Sequence, residues 1–301
     1  MAVLEKGTLF PSTLSKEIFD KVRGKSSLSS LSGQEPVPFN GTDIFIFSFD
    51  NEVALLGESE KKTEGGISLE PVRMKPLKIE YGARVSDEFL YASEEAQVDI
   101  LTNFNEGFAK KVARGLDIMA MHGVNPRTGN PSDLIGKNSF DTADIATIEY
   151  SQYEPDQNIE DAIATTDESD YDVSGMVISK SMRSALASQK GVDGHKIYPQ
   201  LAWGSNPGNI NGIQVEVNST VSAAASKDKA IIGDFVNAFK WGYAKGIEMQ
   251  VIEYGDPDNS GKDLKGYNQV YLRGEAYIGW AILDPAAFAI IAGDGEEGLS
   301  E

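Results

Sequence analysis

Hydrophobic positions along this chain follow two periods, and the longest regular run extends from Ser93 to Gly123. There Val98, Leu101, Phe104, Phe108, Val112, Leu116 and Met119 recur every three or four residues, which predicts an amphipathic helix. Ser93 stands where an N-cap is wanted, Glu94 and Glu95 bring negative charge to the first turn, and Gly123 suits a left-handed C-cap. At 1.5 Å per residue the helix is a rod of roughly 43 Å. Its other face is polar (Asp99, Asn103, Glu106, Lys110, Lys111, Arg114), so the rod lies across a core.

Period two dominates elsewhere. Asp43–Phe49 predicts a strand with Phe45, Phe47 and Phe49 on one face, and Val53–Leu56 a second β segment. The polar, glycine-bounded run 57–66 is a tip. A return strand spans Val72–Val85, alternating at Leu77, Ile79, Tyr81, Ala83 and Val85. Val72 and Met74 are out of phase with that set, and Pro76 marks the shift as a bend or bulge. Residues 43–85 are therefore expected as one long β-hairpin that reaches a neighbouring subunit.

Ahead of the hairpin, a short helix from near Ser12 to Gly24, a Ser-rich stretch 26–33 and Pro36 and Pro38 suggest an arm, mobile or ordered by a partner. Beyond the long helix come a turn-rich loop, Asn125–Pro131, and a short helix capped by Asn158. A strand at Gly175–Ser179, a Ser181-capped helix and an Asp193-Gly194 turn follow, then strands at Ile213–Val217 and Ala230–Ile232. Residues 146–239 thus read as a compact inserted subdomain. Strands at Ile247–Val251 and Asn268–Leu283 are expected to pair beneath the long helix, with Ala286–Ile291 a last apolar segment.

Charge sharpens this picture. The net charge of −19 over 301 residues argues against a nucleic-acid-binding surface, which needs clustered Lys and Arg. Residues 141–174 carry eleven Asp or Glu and no Lys or Arg, a single-sign field. By contrast, Arg73, Lys75 and Lys78 lie on a stretch, 71–79, that holds no acid. We expect that basic strand to lie on an acidic neighbouring subunit, with Lys61 and Lys62 at the hairpin tip.

Catalytic and metal chemistry finds little support. Cysteine is absent, which excludes disulfides and thiolates, and His122 and His195 are too few for a three-histidine zinc site. His122 reads as a helix-end histidine interacting with terminal carbonyls. Gly293–Gly298 spells G-x-G-x-x-G, but three acids fill it and no helix follows. Asp256–Gly261 opens like a calcium loop, yet Tyr267 stands where the bidentate Glu belongs, leaving a turn. Asn218-Ser-Thr220 is a glycosylation sequon by spelling alone. No signal core or membrane-length apolar run is present, so a soluble intracellular protein without metal, cofactor or enzymatic activity is expected.

The order of the parts is more specific than any one of them. The arm, charged hairpin, long helix ending His122-Gly123, inserted subdomain and closing hairpin occur with Gly175-Met-Val-Ile-Ser-Lys-Ser-Met-Arg183, Gly212-Ile-Gln-Val215, Ile231-Ile-Gly-Asp-Phe235 and Asp284-Pro-Ala-Ala-Phe288. From about residue 8 to 291 the chain resembles the tailed-bacteriophage major capsid protein family, whose α+β fold is shared with encapsulins and the floor of herpesvirus capsids. The resemblance implies an N-terminal arm (1–40), an extended loop (41–85) and a peripheral domain (86–145 and 240–292) with a spine helix at 93–122. It further implies an inserted axial domain (146–239), with an acidic tail at 293–301.

The implied function is a virion shell protein. It would assemble in the host bacterial cytoplasm as hexamers and pentamers around double-stranded DNA, with a portal. Relatives often carry a cleaved scaffolding segment ahead of the arm; here Met1 stands almost at the arm, so a separate scaffolding protein is expected. In one branch of the family a loop Lys bonds to an Asn of the next subunit with a Glu as base; the matching positions are Lys61 or Lys62, Asn268 and Glu275. An encapsulin-like compartment shell and a soluble carboxylate-dependent hydrolase stand as alternatives.

Overall fold

The computed structural model describes residues 26–49, 66–91 and 94–293, with single positions between residues 53 and 64. The expected helix near Ser12, Ser93 and the tail beyond Gly293 lie outside the described residues.

Among the described residues, eleven strands form three sheets. Strands β1 (Thr42–Phe49) and β2 (Ile67–Met74) pair antiparallel as a two-stranded ribbon. The central sheet has the order β3-β10-β9, from Leu77–Ser86, Gln269–Ile282 and Phe239–Ile252, all antiparallel. The third sheet uses β4 (Ala146–Glu149), β5 (Gly175–Ile178), β6 (Gly208–Ile210), β7 (Ile213–Val217), β8 (Asp228–Gly233) and β11 (Phe288–Ala292). Its order is β4-β11-β8-β5-β7-β6.

The long return strand is therefore two strands. The chain breaks at Lys75-Pro76, where proline cannot donate a ladder hydrogen bond, and β3 leaves the ribbon for the central sheet. Val53, Leu55 and Leu56 lie outside any strand.

The spine helix runs Glu94–His122 and stops as its glycine requires: Gly123 adopts φ +65° and its N–H donates to the Met119 carbonyl at 3.0 Å. Its apolar stripe, Phe108, Val112 and Leu116, packs with Tyr243, Ala276, Ile278 and Trp280 of the central sheet, as its amphipathic spacing requires.

The middle strands of the third sheet, β5, β8 and β11, are buried on both faces. Val177, Ile231 and Ile290 point into the core shared with the spine helix. Their neighbours Met176, Ile178, Ala230, Ile232, Ala289 and Ile291 point into a second core, where two helices, Pro155–Asp167 and Lys180–Ser188, cover the sheet. Burial on both sides explains the unbroken apolar runs of these strands. Phe140 stacks edge-on to Phe288 at 5.1 Å and lies 5.8 Å from Phe239, joining the last strand to the central sheet.

Two capping expectations shift. The helix expected to start at Asn158 starts at Pro155, and buried Asn158 instead accepts from the Ser151 N–H at 2.9 Å. The next helix is capped by Ser179, whose hydroxyl accepts from the Met182 N–H at 3.1 Å, while Ser181 bonds to that hydroxyl.

The Ser-rich stretch, expected to be mobile or ordered by a partner, is a short helix, Ser27–Leu31, with Leu28 and Leu31 buried in the core of its own chain. Its serines tolerate burial because Ser29, Ser30 and Ser32 hydroxyls donate back to carbonyls of the same turn. The following segment crosses β9, with the Glu35 N–H donating to the Trp241 carbonyl at 2.8 Å.

Candidate assembly interface

The β1-β2 ribbon is anchored at the end that holds Met74. Met74 is fully buried with Val37 and Ala281, and Ile44 and Val72 pack against them. Farther out, Phe45 is 55% exposed, Leu69 49%, and Val53 and Leu55 almost wholly so. Apolar side chains left uncovered on a projecting ribbon mark a surface that another chain covers.

At the ribbon base lies an open concavity of about 590 Å³, floored by Phe39, Pro76 and Tyr277 and rimmed by Arg73, Lys75 and Lys78. The Phe39 and Tyr277 rings sit 5.0 Å apart. The cations are not equivalent. Arg73 donates to the Asn40 carbonyl at 3.2 Å and lies 3.7 Å from Asp43. Lys78 pairs with Glu275 at 3.0 Å, and that hydrogen bond raises its pKa above the ordinary lysine value. Among the described residues, no ion pair engages Lys75, which is exposed and lines the concavity together with Phe39 and Tyr277.

The other expected contact residues are dispersed. Lys61 and Lys62 are exposed at the tip. Glu275 is 9% exposed and sits mid-strand, with Lys78 at 3.0 Å and Arg273 at 3.3 Å. Asn268 precedes the same strand in a left-handed conformation, φ +53°. At about 3.3 Å per residue the two lie roughly 23 Å apart along β10. Register shifts do occur, between Glu275 and Tyr277 and between Tyr277 and Ile278, but both fall beyond Glu275 and bring it no nearer to Asn268.

The calcium-like loop already holds a cation of the protein's own. Arg84 donates to Asp258 through Nε at 2.9 Å, to Asp256 Oδ1 at 2.6 Å and to the Ser260 hydroxyl at 2.6 Å. Its guanidinium holds the Asp258 carboxyl well below the usual carboxylate range. Asn218 is likewise occupied, donating to Ser27 Oγ at 2.7 Å and Asp117 Oδ2 at 3.1 Å.

His122 does not turn to helix-end carbonyls. Its Nε2 lies 2.8 Å from the Thr220 carbonyl, and Nδ1 lies 2.9 Å from Asp141 and 3.7 Å from Asp228. Burial opposes its charged form, but Asp141 and the Thr220 carbonyl outweigh that and raise its pKa. Nothing local in the sequence announces these partners, which come from two loops and the start of β8.

A subunit with a ribbon held outside its two larger sheets, uncovered apolar side chains on it and a cationic concavity at its base is a building block. The sequence profile of the phage capsid family matches residues 6–293. A solved structure from Mycobacterium phage Ogopogo aligns at TM-score 0.75 with 29% identity, covering 89% of this chain and 92% of that one. One from Gordonia phage Cozz aligns at TM-score 0.73 with 26% identity, covering 89% and 86%. The capsid of an empty GTA particle shares the fold at TM-score 0.63 and 14% identity, covering 89% of each. No curated protein matches the sequence significantly. The chain belongs to the phage capsid family. It is a major capsid protein, a structural component of the virion shell, and the compartment-shell and hydrolase alternatives are not favoured.

Proposed function

We propose that this chain assembles as pentamers and hexamers into an icosahedral shell around double-stranded DNA, with the β1-β2 ribbon of each subunit docking on the next. The observation that carries this reading is the ribbon anchored at its Met74 end, apolar outside and cationic at its base. Its complement is an acidic surface of a second copy. The block 141–172 is the richest such surface, with every Asp and Glu except Asp156 exposed.

In this reading residues 41–85 form the extended loop, 146–239 the axial domain, and 86–145 with 240–292 the peripheral domain. Strand β11 crosses from the last of these into the sheet of the axial domain. The GTA capsid of this fold was computed with C5 symmetry, which supports five-fold vertices here. A shell that must fix its size and admit a genome also calls for a scaffolding protein and a portal as partners. Its net charge of −19 repels phosphate, so the genome is retained by confinement.

Lys75→Glu tests the docking mode, because among the described residues its charge supports no ion pair and its reversal leaves the fold alone. The variant should stay folded by circular dichroism, yet form fewer closed shells by electron microscopy, most visibly at low salt where the Debye length is longest. Wild-type assembly at every ionic strength would remove the docking role.

A further inference from the structure

The C-terminal end of the spine helix carries a cluster of three titratable side chains, two of which, His122 and Asp228, lie outside the acidic docking block. His122 Nδ1, an Asp141 oxygen and an Asp228 oxygen lie within 4.8 Å of one another. They come from three segments: the helix end, the loop after it and the start of β8. The His122 side chain is 2% exposed and that of Asp228 10%, while Asp141 opens the cluster to solvent at 31%.

Two features set this apart from a chance gathering of acids. A carbonyl cannot donate, so the 2.8 Å contact to Thr220 makes His122 Nε2 the donor. In the neutral ring the Nδ1 lone pair then faces both carboxylates, and a metal-ligating histidine is held in the same way by a backbone carbonyl. Independently, Asp228 Oδ2 is buried on a residue only 7% exposed, is offered no N–H or hydroxyl donor by a neutral group, and faces both Asp141 and His122 Nδ1, the latter at 3.7 Å. Two carboxylates set together with one of them buried are costly, and a cation between them and Nδ1 removes that cost.

We propose that His122, Asp141 and Asp228 bind one first-row divalent metal ion, zinc being the best match to one imidazole and two carboxylates. Two negative charges balance one dication. Bonds of about 2.0–2.2 Å span ligand pairs roughly 3–4 Å apart, close to the 2.9 and 3.7 Å found from Nδ1. Water completes the coordination through the open side at Asp141. The ion would clamp the spine helix to the edge of β8, joining the elements of two sheets.

The test uses the full chain, stripped with a chelator and titrated with CoCl2 by visible absorption, then with ZnCl2 by thermal unfolding. One Co²⁺ per chain, displaced by Zn²⁺, and a rise of several degrees in Tm are expected. Asp228→Asn should weaken binding more than about tenfold. Asp141→Asn should do the same, and its exposed position keeps the test valid if the buried variant fails to fold. Lack of stoichiometric binding by the wild type, or binding and a Tm rise unchanged in Asp141→Asn, would overturn the site and leave a plain ion pair.

Discussion

The Ser26 hydroxyl donates to Asp117 Oδ1 at 2.5 Å, tying the short N-terminal helix to the spine helix across 91 residues of sequence. Asp117 is fully buried and accepts further from the Ser27 and Leu28 N–H groups, the Asn218 amide and the Thr220 hydroxyl, at 3.0 to 3.3 Å. One carboxylate thus caps the Ser27–Leu31 helix and holds the 218–220 loop.

Asp117→Ala should cost roughly 3 kcal/mol or more, because it strands several buried donors at once. Burial pushes the Asp117 carboxyl up to about 6 against those uncharged donors. Its folded pKa then exceeds the unfolded value of about 3.9, so the folded state binds the proton more tightly. That contribution to stability is fully present below about pH 4 and is lost as pH rises through about 6. Denaturant titrations at pH 4 to 7 should show this decline in the wild type and lose its Asp117 share in Asp117→Asn. An identical pH profile in the two proteins would refute it.

Gly242 marks where the N-terminal segment crosses β9. A Cβ there would stand 1.7 Å from the Glu35 carbonyl oxygen, a backbone atom that cannot yield alone. Gly242→Ala should therefore detach residues 34–37 from the sheet, breaking the Glu35 to Trp241 hydrogen bond and costing roughly 3 kcal/mol. Hydrogen exchange should rise at Glu35 and Val37; unchanged protection and stability would show that the crossing adapts.

Much of this fold is legible because its signals are local. The spacing from Leu101 to Met119 and the glycine at 123 define the spine helix without reference to the rest of the chain. Asp284, picked out only as part of a motif, caps the turn before β11 by accepting from the Ala286 N–H at 2.9 Å and the Tyr171 hydroxyl at 2.6 Å. What stays hidden is partner choice. The phase break at Val72 and Met74 was visible, but period two cannot say that β3 leaves β2 for β10. Nor could Lys78 reveal Glu275, or His122 reveal Asp228, since those contacts exist only after sheets form.

Deleting residues 58–66 should leave the subunit folded and block closed shells. Its described positions are mostly exposed and lie outside the strands, while the ribbon anchor of Met74, Val37 and Ala281 remains. Circular dichroism should match the wild type, and electron microscopy should show open or aberrant assemblies. Normal shells from the deletant would remove the tip from the interface.

Glu275 decides whether subunits weld covalently or only dock. A lysine attacking an asparagine amide must first lose its proton, and with a reference pKa of about 10.4 it needs a carboxylate free to take it. Glu275 is not free: Lys78 and Arg273 both lie on its Oε1, at 3.0 and 3.3 Å. It also stands in register with Glu80 across β3, so those cations offset a cross-strand pair of like charges. Asn268 lies at the far end of the strand, and reaction at Lys61 or Lys62 would require a second subunit to bring all three groups together. Assembled particles boiled in detergent should therefore run as a single monomer band, and Glu275→Ala should weaken the fold without altering that band. A ladder of covalent oligomers that disappears in Glu275→Ala would show that docking pulls Glu275 from its ion pairs and makes it the base.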